Sequence, residues 1–211
     1  MNREIKIGER VVKVSVEPLY PIESMWKVSR EVARKTMDKD DVDSEVSDKF
    51  KNDLLTTLHS PVREIKFKIK LENVSVFTVQ QFSRHHIAIN NTMQSESFDP
   101  TNMEHYQASQ RPDRTNKKRS ETCNYTCTSN IQGLVDASKK RLCKGAEKEA
   151  YLVWSAVKDC IRDIDYKVAD IMQATCVWQD GCSEVFCGDC KYFKTKVFKE
   201  ERTKLTKFWK K

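Results

Sequence analysis

Apolar and polar residues alternate on both sides of Gly8. Ile5 and Ile7 precede it, and Val12, Val14 and Val16 follow. This period of two predicts a strand pair or one long edge strand over residues 3–16, ended by Pro18 and Pro21. From residue 22 to 37 the spacing changes. Ile22, Met25, Trp26, Ser29, Val32, Ala33 and Thr36 recur as on one face of a helix. An acidic stretch from Asp38 to Asp43 follows, and Val46, Phe50, Leu54, Leu55 and Leu58 predict a second helix, broken by His59-Ser60-Pro61. Val62, Ile65, Phe67, Ile69 and Leu71 lie opposite Arg63, Lys66, Lys68 and Lys70, which predicts a half-buried strand with a basic outer face. An apolar run from Val74 to Phe82 comes next. Residues 99–129 are rich in Pro, Asn, Ser, Arg and Lys and read as a mobile loop or lid. Helical spacing returns from Asn130 to Ala174, where Gly145 is expected to separate two helices. The chain therefore divides into a domain over 1–175 and a segment over 176–211 that is Cys-rich at first and basic at its end.

The chain has 211 residues, enough for one core or a core with a small appendage. Its net charge of +7 suits an anionic partner, a nucleotide or a nucleic acid. No stretch of 18 apolar residues occurs, and the N-terminus has no apolar signal core, so a cytoplasmic protein is the expectation. The eight cysteines are then thiols or metal ligands before they are disulfides. Neither a P-loop nor a dinucleotide-binding glycine fingerprint is present.

The segment from Gln81 to Phe98 carries the densest chemistry. Arg84, His85 and His86 stand beside amides and hydroxyls that need partners if buried. They read either as a polar helix end with histidines capping carbonyls, or as a grip for a polyanion in which Arg84 forks onto phosphate.

This segment resembles the signature of the flavin-dependent thymidylate synthases, the ThyX family, roughly RHRxxSxNExSxRY. Gln81, Arg84 and His85 match in place, His86 stands for an arginine, and Ser95 for the family's serine. Val32-Ala33-Arg34-Lys35-Thr36 and His59-Ser60-Pro61 resemble earlier family segments. Downstream, Thr128, Asn130, Leu134, Arg141, Ala146 and Glu149 fall at the family's offsets. The resemblance implies an α+β fold, with a central antiparallel sheet flanked by helices and a long C-terminal helical region. It implies a homotetramer with sites at subunit junctions. Its reaction is reductive methylation of dUMP to dTMP with FAD, NADPH and methylenetetrahydrofolate. The residues implied to hold FAD are His59, Ser60, Arg84, His85, His86 and Asn130. Those implied to hold the pyrimidine nucleotide are Gln81, Gln94, Ser95 and Arg141, and Arg141 is the catalytic candidate, stabilising negative charge on the ring. Ser97 and Phe98 replace a closing Arg-Tyr, which removes a phosphate ligand worth about 2–3 kcal/mol. The family's E-x-A-R-x-x-L-P segment has no counterpart in 99–129. A relative that binds flavin or nucleotide without this reaction, or that acts on another pyrimidine, is the alternative these departures favour.

Two features stand apart from the signature. Cys176, Cys182, Cys187 and Cys190 fall within fifteen residues, as a zinc knuckle or as free or paired thiols. Lysines alternate with Phe193, Val197, Phe198, Leu205, Phe208 and Trp209 in the tail. This reads as an amphipathic helix packed on a neighbour, or as a nucleic-acid arm that would make the chain a non-enzymatic binder.

Overall fold

The computed structural model describes residues 1–40, 44–85, 89–93, 121–184 and 190–209. Strands β1 (Asn2–Ile7) and β2 (Arg10–Pro18) form the expected hairpin, and Gly8 takes the left-handed φ of +62° that its turn requires. Helices α1 (Ile22–Lys35) and α2 (Asp48–Thr57) follow. The Ser47 side chain caps α2 by accepting from Phe50 N. His59-Ser60-Pro61 then leads into a short 3-10 turn, Ser60–Glu64, with proline where a missing N–H costs nothing.

Strand β3 (Lys66–Ser75) pairs with β2, and all strand pairs are antiparallel. Helix α3 (Val76–Ser83) occupies the apolar run, and Ser75 caps it by accepting from Thr78 N. Strand β4 (Ile89–Met93) lies at the sheet edge, next to β5 (Thr122–Asn130). The order is β1-β2-β3-β5-β4.

Strand β5 corrects the expected loop over 99–129. Cys123, Tyr125, Cys127 and Ser129 alternate inward and are buried, with Thr and Asn between them. They form an inner strand of the sheet, paired on both sides. Residues 99–120 lie outside the described ones.

The inward faces of β2, β3 and β5 bring Val12, Val14, Val16, Phe67, Ile69, Leu71 and Tyr125 into one core with the helices. On the opposite face Lys68 and Lys70 face Glu17. A bulge interrupts β3 between Leu71 and Val74, where Asn73 adopts φ of +60°. Asn73 is held there by donating from Nδ2 to Val11 O and from its backbone to Asn124 Oδ1.

The second half is helical: α4 (Ile131–Arg141), α5 (Lys148–Ile164), α6 (Tyr166–Ile171), α7 (Thr175–Gln179) and α8 (Lys196–Thr206). Gly145 lies between α4 and α5. The apolar stripe expected to continue to Met172 breaks at Asp165, whose carboxylate accepts from Lys167 N and Val168 N and starts α6. Asp165 also accepts from Trp26 Nε1 at 2.9 Å, which pins α1 to this corner. Helix α8 buries Phe198 and Leu205, with Phe208 just beyond it, against the body. Arg202 donates to the carbonyls of Val177 and Trp178, and Thr56 Oγ1 donates to Phe208 O. No helix among the described residues is long and apolar enough to cross a membrane.

Candidate functional site

The C-terminal ends of α3 and α4 meet. Helix α3 ends at Ser83, and its last turn carries Gln81 with Arg84 and His85 just beyond; α4 ends in Arg141. Asn130 sets the start of α4 by accepting from Gly133 N at 2.9 Å. Eleven residues then place Arg141 about 16 Å away along the helix.

Arg141 spends all three of its nitrogens on α3 and the residue two beyond its end. Nη1 donates to Gln81 Oε1 at 2.7 Å, Nη2 to Gln81 O at 2.8 Å, and Nε to His85 Nε2 at 3.0 Å. Residues from the two halves of the sequence motif therefore form one cluster. Two of these acceptors belong to the uncharged Gln81 and the third is an imidazole nitrogen; none is a carboxylate. Among the described residues no carboxylate pairs with Arg141, and burial pushes its pKa down, with the Arg84 charge acting in the same direction.

A cavity of about 620 Å³ opens beside this cluster, within the usual range for ligand pockets. Gln81, Arg84 and Arg141 line one side, and the turn Cys143 to Glu147 another. The Cys-rich segment with Tyr192 and Phe193 forms the wall opposite. Among the described lining residues Arg84, Lys139, Lys140, Arg141 and Lys144 outnumber the carboxylates Glu147 and Glu184, so this lining is cationic. Glu147 is partly committed: it caps α5 by accepting from Glu149 N and Ala150 N, and it accepts from Thr78 Oγ1. Glu149, which the family pattern singles out, is buried. It accepts from Ser75 N and pairs with Arg10, so it ties α5 to the end of β3.

The remaining expected residues stand elsewhere. Exposed His59 and Ser60 begin the turn before β3, near Asn130 at the other end of α4. None of these three lines the cavity. His86, Gln94 and Ser95 lie outside the described residues.

Cys176, Cys182 and Cys190 line the cavity, joined by Cys143, which spacing alone did not indicate. Cys187 lies outside the described residues. Among those described, no three His, Cys, Asp or Glu side chains assemble into a group that could hold a metal. Burial pushes the Cys176 thiol up to about 11, and the neighbouring Cys143, Cys182 and Cys190 add to the effect.

The reading of motifs missed Lys139, Lys140, Lys144, Tyr192 and Phe193. The lysines sit in a run that resembles an ordinary solvated face, and the two aromatics reach the cavity only because α8 docks. Lys144 lies over the rings of Tyr151 and Tyr192, with centroids at 4.2 and 5.3 Å.

No protein-family model matches the chain, and no curated protein matches it. Among solved structures it is similar to thymidylate synthase X (ThyX) from Helicobacter pylori, determined with FAD and dUMP. The TM-score is 0.53 and the identity 12%, over 75% of this chain and 99% of that one. At this identity the likeness is one of fold.

Proposed function

We propose that this chain binds FAD and a pyrimidine nucleotide and acts as a flavin-dependent thymidylate synthase, converting dUMP to dTMP with methylenetetrahydrofolate and NADPH. The observation that carries the reading is Arg141. It is a half-buried guanidinium, held by Gln81 and the His85 ring, with no carboxylate partner among the described residues. A cation withdrawn from water without a counter-charge is costly, and an anionic ligand removes that cost. The solved neighbour of the same fold contains FAD and dUMP, which are both anionic and aromatic.

The lining fits both groups. Arg84, Lys140 and Lys144 offer charge to phosphates, and Tyr192 and Phe193 offer flat apolar surface to a ring. Arg141 stabilises negative charge developing on the uracil, while the Gln81 amide NH₂, unused in the cluster, donates to a ring carbonyl. Bound FAD supplies the hydride relay from NADPH. His59, Ser60 and Asn130, at the far end of α4, serve the flavin of a neighbouring subunit in a homotetramer with sites at its junctions.

The second reading, a relative that binds flavin or nucleotide without this reaction, is favoured by one observation. Asn130 Oδ1 is already committed to Gly133 N.

The visible spectrum of the purified protein separates the readings. A flavin spectrum that shifts on adding dUMP, with dTMP formed when NADPH and methylenetetrahydrofolate are present, is the expected result. A flavoprotein that makes no dTMP leaves the second reading. A colourless protein that takes up neither added FAD nor dUMP overturns both.

A further inference from the structure

We propose that His85 is the positioning residue for Arg141 and does this as a neutral imidazole protonated on Nδ1, instead of contacting the flavin directly. The inference rests on the reading of Arg141 as the anion grip.

Arg141 Nε can only donate, so His85 Nε2, 3.0 Å away, must accept through its lone pair. That fixes the tautomer. His85 itself is held in place, since its backbone N–H donates to Phe82 O at the end of α3. Gln81 takes the other two nitrogens, one through its side chain and one through its carbonyl. A planar group bound at Nε, Nη1 and Nη2 has no freedom left to rotate. Three of its five N–H donors are spent, so two remain for a ligand. An imidazolium at 85 would set donor against donor, and Arg141 would lose the contact that fixes the Nε end of its plane. Gln81 would still hold Nη1 and Nη2, but the tilt of the plane would have to be set at each binding event, which weakens affinity.

Two kinds of measurement test this. Long-range ¹H–¹⁵N correlation of the ligand-free protein, assigned with His85→Gln, is expected to show His85 as the Nδ1–H tautomer at neutral pH. An Nε2–H tautomer or an imidazolium there overturns the proposal, whatever the protein turns out to bind. The second measurement is the dissociation constant for dUMP. His85→Leu, which has no acceptor, is expected to weaken binding about tenfold. His85→Gln, whose Oε1 accepts, is expected to stay within about threefold of the native protein. Equal weakening in the two variants, with native circular dichroism in both, overturns it. If the native protein binds no dUMP, the functional reading fails and the tautomer alone decides the role of His85.

Discussion

Lys158 on α5 and Glu201 on α8 pair at 3.2 Å with both side chains largely withdrawn from water, and Gln173 accepts from the same ammonium at 3.0 Å. Burial pushes the Lys158 ammonium down and Glu201 opposes this. The pair fastens the last helix to the body, so the two truncations differ in sign of risk. Glu201→Ala leaves a buried cation short of its counter-charge and is expected to lower stability by about 3 kcal/mol. Lys158→Met removes the buried charge itself but strands Gln173 Oε1 and leaves Glu201, which reaches water, without its partner; it is expected to cost less than Glu201→Ala, about 1–2 kcal/mol. Urea denaturation measures both; equal losses contradict the account.

Arg141→Ala is expected to abolish dTMP formation while the purified protein keeps its flavin absorption. Arg141→Lys should not restore activity, because one ammonium cannot satisfy three acceptors arranged around a plane. Turnover in either variant removes Arg141 from its assigned role.

Buried thiols predict a loss of stability in alkali. Cys127 is pushed up to about 12 and Cys176 to about 11, in both cases chiefly by burial. Cysteines in the unfolded chain release their protons from about pH 8.5, whereas the native thiols keep theirs. Their contribution is therefore fully present below about pH 8.5 and declines as pH rises toward the native values. The melting temperature should fall between about pH 8.5 and 11, and Cys176→Ser should flatten part of that slope. An unchanged slope in the variant refutes the assignment.

Asn130 separates a structural role from a ligand role. Asn130→Ala removes the cap of α4 and is expected to cost about 1 kcal/mol in thermal or urea unfolding, while Asn130→Asp keeps it. A variant that loses flavin at unchanged stability makes Asn130 a ligand contact instead.

The strands β1, β2 and β3 were legible because their inward residues are hydrocarbon side chains, aliphatic apart from Phe67. Strand β5 has the same period of two, but its inward positions are Cys123, Tyr125, Cys127 and Ser129, which carry thiol and hydroxyl groups where the other strands carry plain hydrocarbon. The Val76–Val79 run was ambiguous, since a short apolar stretch carries no period; Ser75 as a cap decides for helix. Gln81, Arg84, His85 and Arg141 were found only through their order along the chain. Nothing local links Arg141 to His85, because the turn between α3 and α4 runs through β4 and β5. The cavity wall was invisible for a related reason. Tyr192 and Phe193 depend on where α8 docks, and that is set by Lys158, Asp170 and the carbonyls of Val177 and Trp178.

The strand order also constrains the route by which the protein reaches its native state. β1 and β2 are joined by a tight turn, so their hairpin needs little chain closure. β5 pairs with β3 between positions as far apart as Lys66 and Asn130. That seam forms only after a long excursion has been gathered in, and the entropy of closing it precedes any reward from the ladder. The bulge at Asn73, which bonds to Val11 on one side and Asn124 on the other, sits where these early and late events meet. Asn73→Gly, which keeps the backbone conformation but removes the bond to Val11, therefore bears on the order of assembly as well as on the finished sheet.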